Sequence, residues 1–491
     1  MLFNSHAFIF LFCPVVFLVY YVVASASYRA ALAWMVAASL FFYAWWNPPY
    51  VFLLAGSAVF NYLVGAALDH YPRHRKPLLA AGVGTDLLLL GYFKYTNFFI
   101  DTLNAFGAGP FATAQILLPL AISFHTFQQI AYLVDTCRGE TRHYRFLDYL
   151  FFVVFFPQLI AGPIVRHDEI IPQIAARSTL RFDWRNAALG ITFFSFGLFK
   201  KVVIADYLSQ PADLVFNAAG ATRFSFFEGW LGAVAYALQI YFDFSAYSDM
   251  AIGLALFAGI RFPLNFFSPY QARSIIEFWR RWHMTLSRFL LAYLYIPLGG
   301  NRRGRARRYL NLMLTMLLGG LWHGAAWTYV AWGGLHGAYL IVNHAWRSLP
   351  LSRRWAAARL WGAGSFLLTF GAVCIAWVFF RAGSFAAALE VLSSMLGRHG
   401  MRPAFSHMPE ARHYLLAVSA AGLLAFFAPN IYVLTERFAP TLTDIANFLR
   451  GRFPAALAWR PVIPWALAAA GAFATGALLI NRDSPFLYFQ F

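Results

Sequence analysis

The chain has 491 residues, 60% of them hydrophobic and only 12% charged, with a mean hydropathy of +0.58. A soluble domain is usually about a quarter charged, so this composition excludes a water-soluble globule and calls for a bilayer as solvent. The formal net charge of +18 belongs, in such a chain, to cytoplasmic loops rich in Arg and Lys rather than to nucleic-acid binding.

Apolar stretches of roughly 20 residues, the length that crosses a hydrocarbon core as a helix, recur along the whole sequence. Candidate spans lie near 8–24, 30–46, 50–68, 78–100, 115–134, 147–165, 187–205, 229–258, 309–322, 325–345, 361–380, 414–433 and 462–480. The expectation is an all-α polytopic transmembrane helical bundle, a single domain over 1–491, with roughly 11 to 13 membrane segments, some broken or re-entrant. The opening MLFNSHAFIF lacks a basic n-region and a small-x-small cleavage site, so it reads as a retained first helix. The loop HYPRHRK (70–76) is basic, DTLNAFGAGP (101–110) has no basic residue, and CRGETRHYR (137–145) is basic again. That alternation places 70–76 and 137–145 in the cytoplasm, and 101–110 and the N-terminus outside. FFPQLIAGP (155–163) interrupts its span with two prolines and a glycine and reads as a broken helix, which must be buried or line a cavity.

The segment 261–308 carries ten Arg and one acid, Glu277, and ends in RRGRARR. With Trp279, Trp282, Tyr293 and Tyr295 and the turn PLGG, it reads as a cytoplasmic-side region whose helices lie in the interface or dip into the membrane. The stretches 348–360, 397–413 and 435–461 read as moderately polar loops. Cys13, Cys137 and Cys374 are far apart in sequence, so neither a disulfide framework nor a metal site is expected.

Thirteen histidines are present. His6, His70, His74, His143, His167, His399, His407 and His413 sit in loops or at segment ends. His323, in MLLGGLWHGAAWTYVAW, is apolar on both sides. An imidazole there costs free energy unless it has a partner or a task. Low dielectric favours its neutral form, which can accept a proton. Gly319, Gly320 and Gly324 would let a backbone or a ligand come close. A histidine packed against Trp and a catalytic one remain equally open on these residues alone. His283 shares one helical face with Trp279 and Trp282 if EFWRRWHMTLS (277–287) is a helix, with Arg280 and Arg281 on other faces, and then reads first as part of an interfacial aromatic belt. His336 and His344, eight residues apart, read as packing residues, and His125 as locally hydrogen bonded beside Gln128 and Gln129. Asp243, Ser245 and Asp249 in YFDFSAYSDM either pair with cations of other helices or mark an ion path. No GxSxG elbow and no GxxxxGK[ST] loop occurs, which argues against serine-hydrolase chemistry and ATP-driven transport.

WRRWHMTLS (279–287), YLYIPLGGNR (293–302) and LWHGAAW…WGGLHG (321–337) resemble the signatures of the membrane-bound O-acyltransferases. LPLAISFHTFQQIAYLVDTCRGE (118–140), FFPQLIAGPIVRHDEIIPQI (155–174), GLFKKVVIADYL (197–208), IYFDFSAYSDMAIGLALFAGIRFPLNFFSPY (240–270) and SPFLYFQF (484–491) are similar as well. The resemblance covers nearly the whole chain and is strongest to the bacterial alginate O-acetyltransferase (AlgI) branch. Neighbouring branches acetylate peptidoglycan or other exported polysaccharides, or D-alanylate teichoic acids. It implies a ring of helices around a thin centre, with a tunnel from each side to the active histidine. His323 matches the catalytic histidine and His283 a second active-site residue. Trp282, Trp322, Arg280 and Asn265 are the expected substrate-binding residues. The implied donor is a cytoplasmic acyl thioester, acetyl-CoA, with no other cofactor. The acetyl group would leave on the outer face of a bacterial inner membrane with the help of an SGNH-type acetyltransferase partner. Alginate, cellulose, peptidoglycan and capsule-type glycans stay open as acceptors. In many sequences of this branch an Arg-Asp pair precedes YLYIPLGG; here Leu291 and Ala292 stand in its place. On this reading His323 is the base, His283 orients the acceptor or steadies the tetrahedral intermediate, and the Arg residues of 302–308 attract the donor's phosphates. A transporter or shuttle without its own esterification activity, and a scaffold using only its basic loops, are the alternatives of other classes.

Overall fold

A computed structural model describes all residues except 142, 177–178, 180, 353–360, 402–404, 449–453, 455–456, 481–485 and 488–491. Most of SPFLYFQF and most of the 348–360 loop therefore lie outside the described residues.

The described residues fold as helices: α1 (Cys13–Ala26), α2 (Tyr28–Ala44), α3 (Tyr50–His70), α4 (Arg75–Leu90), α5 (Thr96–Ala105), α6 (Ile122–Arg138), α7 (Phe146–Val154), α8 (Phe156–Leu159), α9 (His167–Ala175), α10 (Trp184–Phe199), α11 (Asp206–Asn217), α12 (Phe226–Phe257), α13 (Ile275–Trp279), α14 (Met284–Leu290), α15 (Gly304–His323), α16 (Trp327–Ser348), α17 (Trp361–Arg381), α18 (Phe385–Met395), α19 (Ala411–Phe427), α20 (Ile431–Leu434) and α21 (Ile463–Leu478). Among the described residues four continuous helices are long and apolar enough to cross a bilayer, Phe8–Ala26, Tyr50–His70, Trp184–Asn217 and Gly362–Arg381, and four shorter apolar helices accompany them. Large apolar side chains such as Phe10, Leu18, Phe52 and Leu63 face outward on these helices. In water that surface would be unfavourable; against lipid it needs no cover.

Two hydrophobic cores form, and the 32-residue α12, almost entirely buried, runs through both. Its start is fixed by a capping box, in which Ser225 Oγ accepts from the Glu228 N–H and the Glu228 carboxylate accepts from the Ser225 N–H. The intramembrane acids of α12 are paired. Lys201 Nζ contacts Asp243 and Asp206, each at 2.7 Å, and Lys200 Nζ contacts Asp249 at 2.6 Å. Tyr432 Oη also donates to Asp249, at 2.5 Å. Both lysines lie on a π-helical stretch, Lys200–Ala205, inserted between α10 and α11. One extra residue in a helical turn re-aims the side chains around it.

The two basic loops meet at one end of the molecule, where His143 Nδ1 lies 3.4 Å from Asp69. At the other end Tyr50 Oη donates to Leu117 O, and Asn97 and Asn104 hold the 111–114 main chain. The expected span 115–134 is helical only from Ile122. Pro119 and the left-handed Ala121 (φ 63°) end a non-helical segment there, because a residue before proline is kept out of the helical region and proline supplies no N–H. The break at 155–163 occurs as expected. α7 stops at Val154, α8 lasts one turn, and Gly162 crosses so tightly that a Cβ would meet Gln158 Cα and Pro157 O.

The face shared by Trp279, Trp282 and His283 is not formed. α13 ends at Trp279, and His283 adopts a left-handed conformation (φ 42°) before α14. The physical reason lies in the 262–270 loop, which occupies the interior beside it. Phe267 N donates to Arg281 O and Met284 N donates to Asn265 O, both at 2.9 Å, so these main-chain groups bond across to the loop instead of along a helix. Residues 262–290 are therefore largely interior, not an interfacial helix, whereas 302–306 is exposed.

Candidate active site

α15 ends at His323 and the chain passes through extended Gly324–Ala326 into α16. The two helices cross closely because a Cβ on Gly320 would strike Tyr329 O and one on Gly333 would strike Met316 O. Of the three glycines expected to allow a close approach, Gly320 meets a neighbouring backbone, Gly324 the Tyr329 ring and Gly319 the Leu290 side chain. The last carbonyls of α15 are taken up from outside the helix. Tyr95 Oη donates to Leu321 O at 2.9 Å, and Lys94 Nζ donates to Trp322 O at 2.6 Å and His323 O at 3.1 Å. A cation at a helix C-terminus complements both the unpaired carbonyls and the dipole. Lys94 sits on a π-helical stretch, Gly91–Tyr95, that continues α4.

The His323 ring packs edge-on against Trp322, Trp332 and Phe380, with centroids 4.9, 5.1 and 5.4 Å away. It is 5% exposed, and that exposure faces a cavity of about 770 Å³ lined also by Lys94, Ser123, Trp322, Trp45 and Trp46. The cavity lies at the end of the molecule opposite the joined basic loops, between the end of α2 and the non-helical 117–121 segment.

His283 lies behind His323, with ring centroids 6.3 Å apart, and is fully buried against Phe244 and Phe266. Its Nδ1 is 3.1 Å from Asn265 Oδ1. An amide oxygen only accepts, so Nδ1 carries the proton and Nε2 of a neutral ring is an acceptor. Asn265 is itself fixed: Thr285 Oγ1 donates to its Oδ1 at 2.9 Å and its Nδ2 donates to Ser248 Oγ at 3.1 Å.

The structure thus brings His323, His283, Trp322 and Asn265 together. Trp322 stacks on Phe127 at 5.0 Å and lines the cavity, while Asn265 holds His283 and does not line it. Trp282 is buried among Phe266, Phe278 and Trp377. Arg280 is not brought to the cavity; it is exposed, and its electrostatic neighbour is His344, with Arg308 and Arg347. His336 accepts a hydrogen bond from Trp279 Nε1 and stacks on Phe278, a packing role. His125 is buried beside Gln129, its expected local partner, and Gln129 is also held by Ser57 and Asn61. Asp249 lines a separate cavity of about 560 Å³ that does not reach the histidines.

Sequence reasoning missed Lys94 and Ser123. The available signal was a lysine inside the 78–100 span, since an ionisable residue in a membrane segment is a functional candidate by default. It also missed Asp135, fully buried, which accepts from Arg166 at 2.9 Å and Tyr293 at 2.6 Å and lies 3.1 Å from His167 Nε2. His167, read as a segment-end residue, is buried within that cluster.

A model of the membrane-bound O-acyltransferase family matches residues 116–385. The chain belongs to that family. A peptidoglycan O-acetyltransferase of Helicobacter pylori is 46% identical over 82% of this chain and 81% of its own length. A probable alginate O-acetylase AlgI of Pseudomonas putida is 41% identical over the whole of both chains. A teichoic acid D-alanyltransferase of Streptococcus thermophilus is 30% identical over 48% of this chain and 59% of its own. This membrane-bound O-acyltransferase is therefore an acyl-transfer enzyme of helical membrane architecture, which needs an acyl donor and an acceptor. The match runs from the non-helical segment that walls the cavity, through both histidines, to the start of α18.

Proposed function

We propose that this enzyme moves an acetyl group from cytoplasmic acetyl-CoA, across a bacterial inner membrane, to a hydroxyl of an exported polysaccharide. The observation that carries the reading is His323 at the floor of the 770 Å³ cavity, opening on the face opposite the basic loops, with His283 directly behind it. The acceptor hydroxyl gives its proton to the His323 imidazole as its oxygen attacks the thioester carbonyl. The C–S bond then breaks, the ester forms, and the thiolate leaves with that proton. His283, proton-bearing at Nδ1 toward Asn265, presents an acceptor nitrogen, which suits orienting a hydroxyl better than steadying an oxyanion. Alginate and peptidoglycan are the first acceptors to test, because the relatives named for them align over most of the chain. Delivery through an SGNH-type acetyltransferase partner on the outer face belongs to the same reading.

Replacing His323 by Ala or Gln is expected to abolish acetylation of exported glycan, by at least about a hundredfold, the low end of what a positioned acid–base group supplies. The variant should stay in the membrane at wild-type abundance. Mass analysis of the glycans from cells carrying each variant reads this directly, and normal acetylation in the variant refutes the assignment.

A further inference from the structure

The packing role of His336 uses only one of its two nitrogens. Trp279 Nε1 donates to its Nδ1 at 3.2 Å. An indole nitrogen only donates, so Nδ1 holds a lone pair and the ring proton sits on Nε2. His336 is fully buried, and among the described residues Nε2 meets no hydrogen-bond partner. Trp332, one turn earlier on the same face of α16, is also buried, and its indole N–H meets none either. Buried N–H groups are seldom left unpaired, because each gives up its hydrogen bonds to water. Two of them stand one turn apart beside His323, where an acyl group is to react. The Trp332 ring touches both histidines, with centroids 5.1 Å from His323 and 4.9 Å from His336. Neither Trp332 nor His336 lines the outward cavity. From them α16 leads on to His344, whose Nδ1 is 2.7 Å from Arg308 Nη2, close to the exposed Arg-rich turn at 302–306. The two N–H groups therefore lie beyond His323 from the acceptor's opening, on the side of the proposed cytoplasmic thioester. The reaction also needs hydrogen-bond donors for the oxyanion, and His283 offers an acceptor nitrogen instead.

We propose that His336 and Trp332 are catalytic residues that bind the carbonyl oxygen of the acyl thioester, His336 through Nε2–H and Trp332 through Nε1–H. The proposal rests on His323 as the base and on an acyl thioester as the donor substrate. As the hydroxyl oxygen bonds to the carbonyl carbon, its proton passes to His323 and an electron pair of the C=O bond moves onto the carbonyl oxygen. The two N–H groups stabilise that charge and keep their protons. The C=O bond then re-forms, the C–S bond breaks, and sulfur leaves with the proton held by His323.

The test uses the full-length protein in lipid nanodiscs and an unreactive ketone analogue of acetyl-CoA, in which a methylene replaces sulfur and the carbonyl carbon is isotopically labelled. Isotope-edited infrared spectra read the carbonyl stretch, which falls in frequency when the oxygen accepts hydrogen bonds. Wild-type protein and His336→Gln, which restores an N–H, should hold the band low. His336→Phe and Trp332→Phe, which keep an aromatic ring and lose the N–H, should each move it to higher frequency with the analogue still bound. In cells, glycan acetylation should fall by about a hundredfold or more in His336→Phe, the usual effect of removing one such hydrogen bond, and by less in His336→Gln, at wild-type protein abundance. A band that stays in place in both Phe variants leaves His336 and Trp332 as packing residues and overturns the proposal; should one variant fail to fold, the other decides. Undiminished acetylation in both overturns it too. An analogue that does not bind wild-type protein is a failure of the thioester reading, and the proposal falls with it. Transfer that persists in His323→Ala is the distinct failure of the base assignment, and leaves the band shift to be judged by itself.

Discussion

Asn265 decides which nitrogen of His283 carries a proton, and it does so from a loop 18 residues upstream. Its amide also satisfies Thr285, whose hydroxyl in turn accepts from Ile164 N at 3.0 Å. Replacing Asn265 by Leu strips three buried groups of a partner, at a cost of about 1–3 kcal/mol for each one left unsatisfied. Acetyl transfer should fall by about tenfold or more, the effect usual for losing the group that orients a functional histidine, and by more than the drop in membrane-embedded protein. Asn265→Asp, which keeps an acceptor toward Nδ1, should recover part of the rate. Parallel measurement of glycan acetylation and protein abundance separates the two effects; equal losses would make Asn265 a purely structural residue.

At the scale of elements, the crossing of α15 and α16 sets where His323 stands. Gly320 and Gly333 face each other's helix with no room for a methyl group. Gly333→Ala should therefore destabilise the protein by about 1–3 kcal/mol, as overpacking of a close-packed contact does. The expected result is a lower Tm for the purified protein and reduced transfer, since the helices must part at the turn before His323. An unchanged Tm would mean that the crossing is looser than its geometry. The π-helical stretches follow a related logic. Gly91–Tyr95 and Lys200–Ala205 carry three of the four lysines, and each turns its lysine toward a buried partner.

Over the whole molecule, the deepest tie is electrostatic. Asp243 joins Lys201 of the π-helical stretch to the chain end, where Leu487 N donates to its Oδ2 at 2.9 Å. Removing one partner of a buried pair usually costs about 3–5 kcal/mol, and here Asp206, also 2.7 Å from Lys201, keeps part of the pairing. Asp243→Leu should therefore lower thermal stability by less than that, and Asp243→Leu with Asp206→Leu, which leaves Lys201 with neither acid, by clearly more; a double variant as stable as the single one would mean that Asp206 does not share the charge. Orientation is open to a separate check. Single cysteines introduced at Gly107 and Gly304, in a protein stripped of its three natural ones, should react with a membrane-impermeant maleimide on opposite faces of intact cells, Gly107→Cys from outside and Gly304→Cys only after permeabilisation.

Composition and hydropathy by themselves determined that the chain is helical and lies in a membrane, because a bilayer leaves no other way to satisfy the backbone of a long apolar segment. The broken helix at 155–163 was legible too, since proline and glycine act locally. The motifs around His323 and His283 were enough to identify the family. The tertiary structure alone decided the rest. His283 leaves the helical register because residues 265–267 of a loop distant in sequence take its neighbours' hydrogen bonds. Asp243 and Asp249 are paired because lysines some 40 to 50 residues away reach them. Lys94 stands at His323 although 229 positions separate them. Periodicity reports which face of one segment is apolar; contacts between segments that are far apart in the chain leave no trace in it.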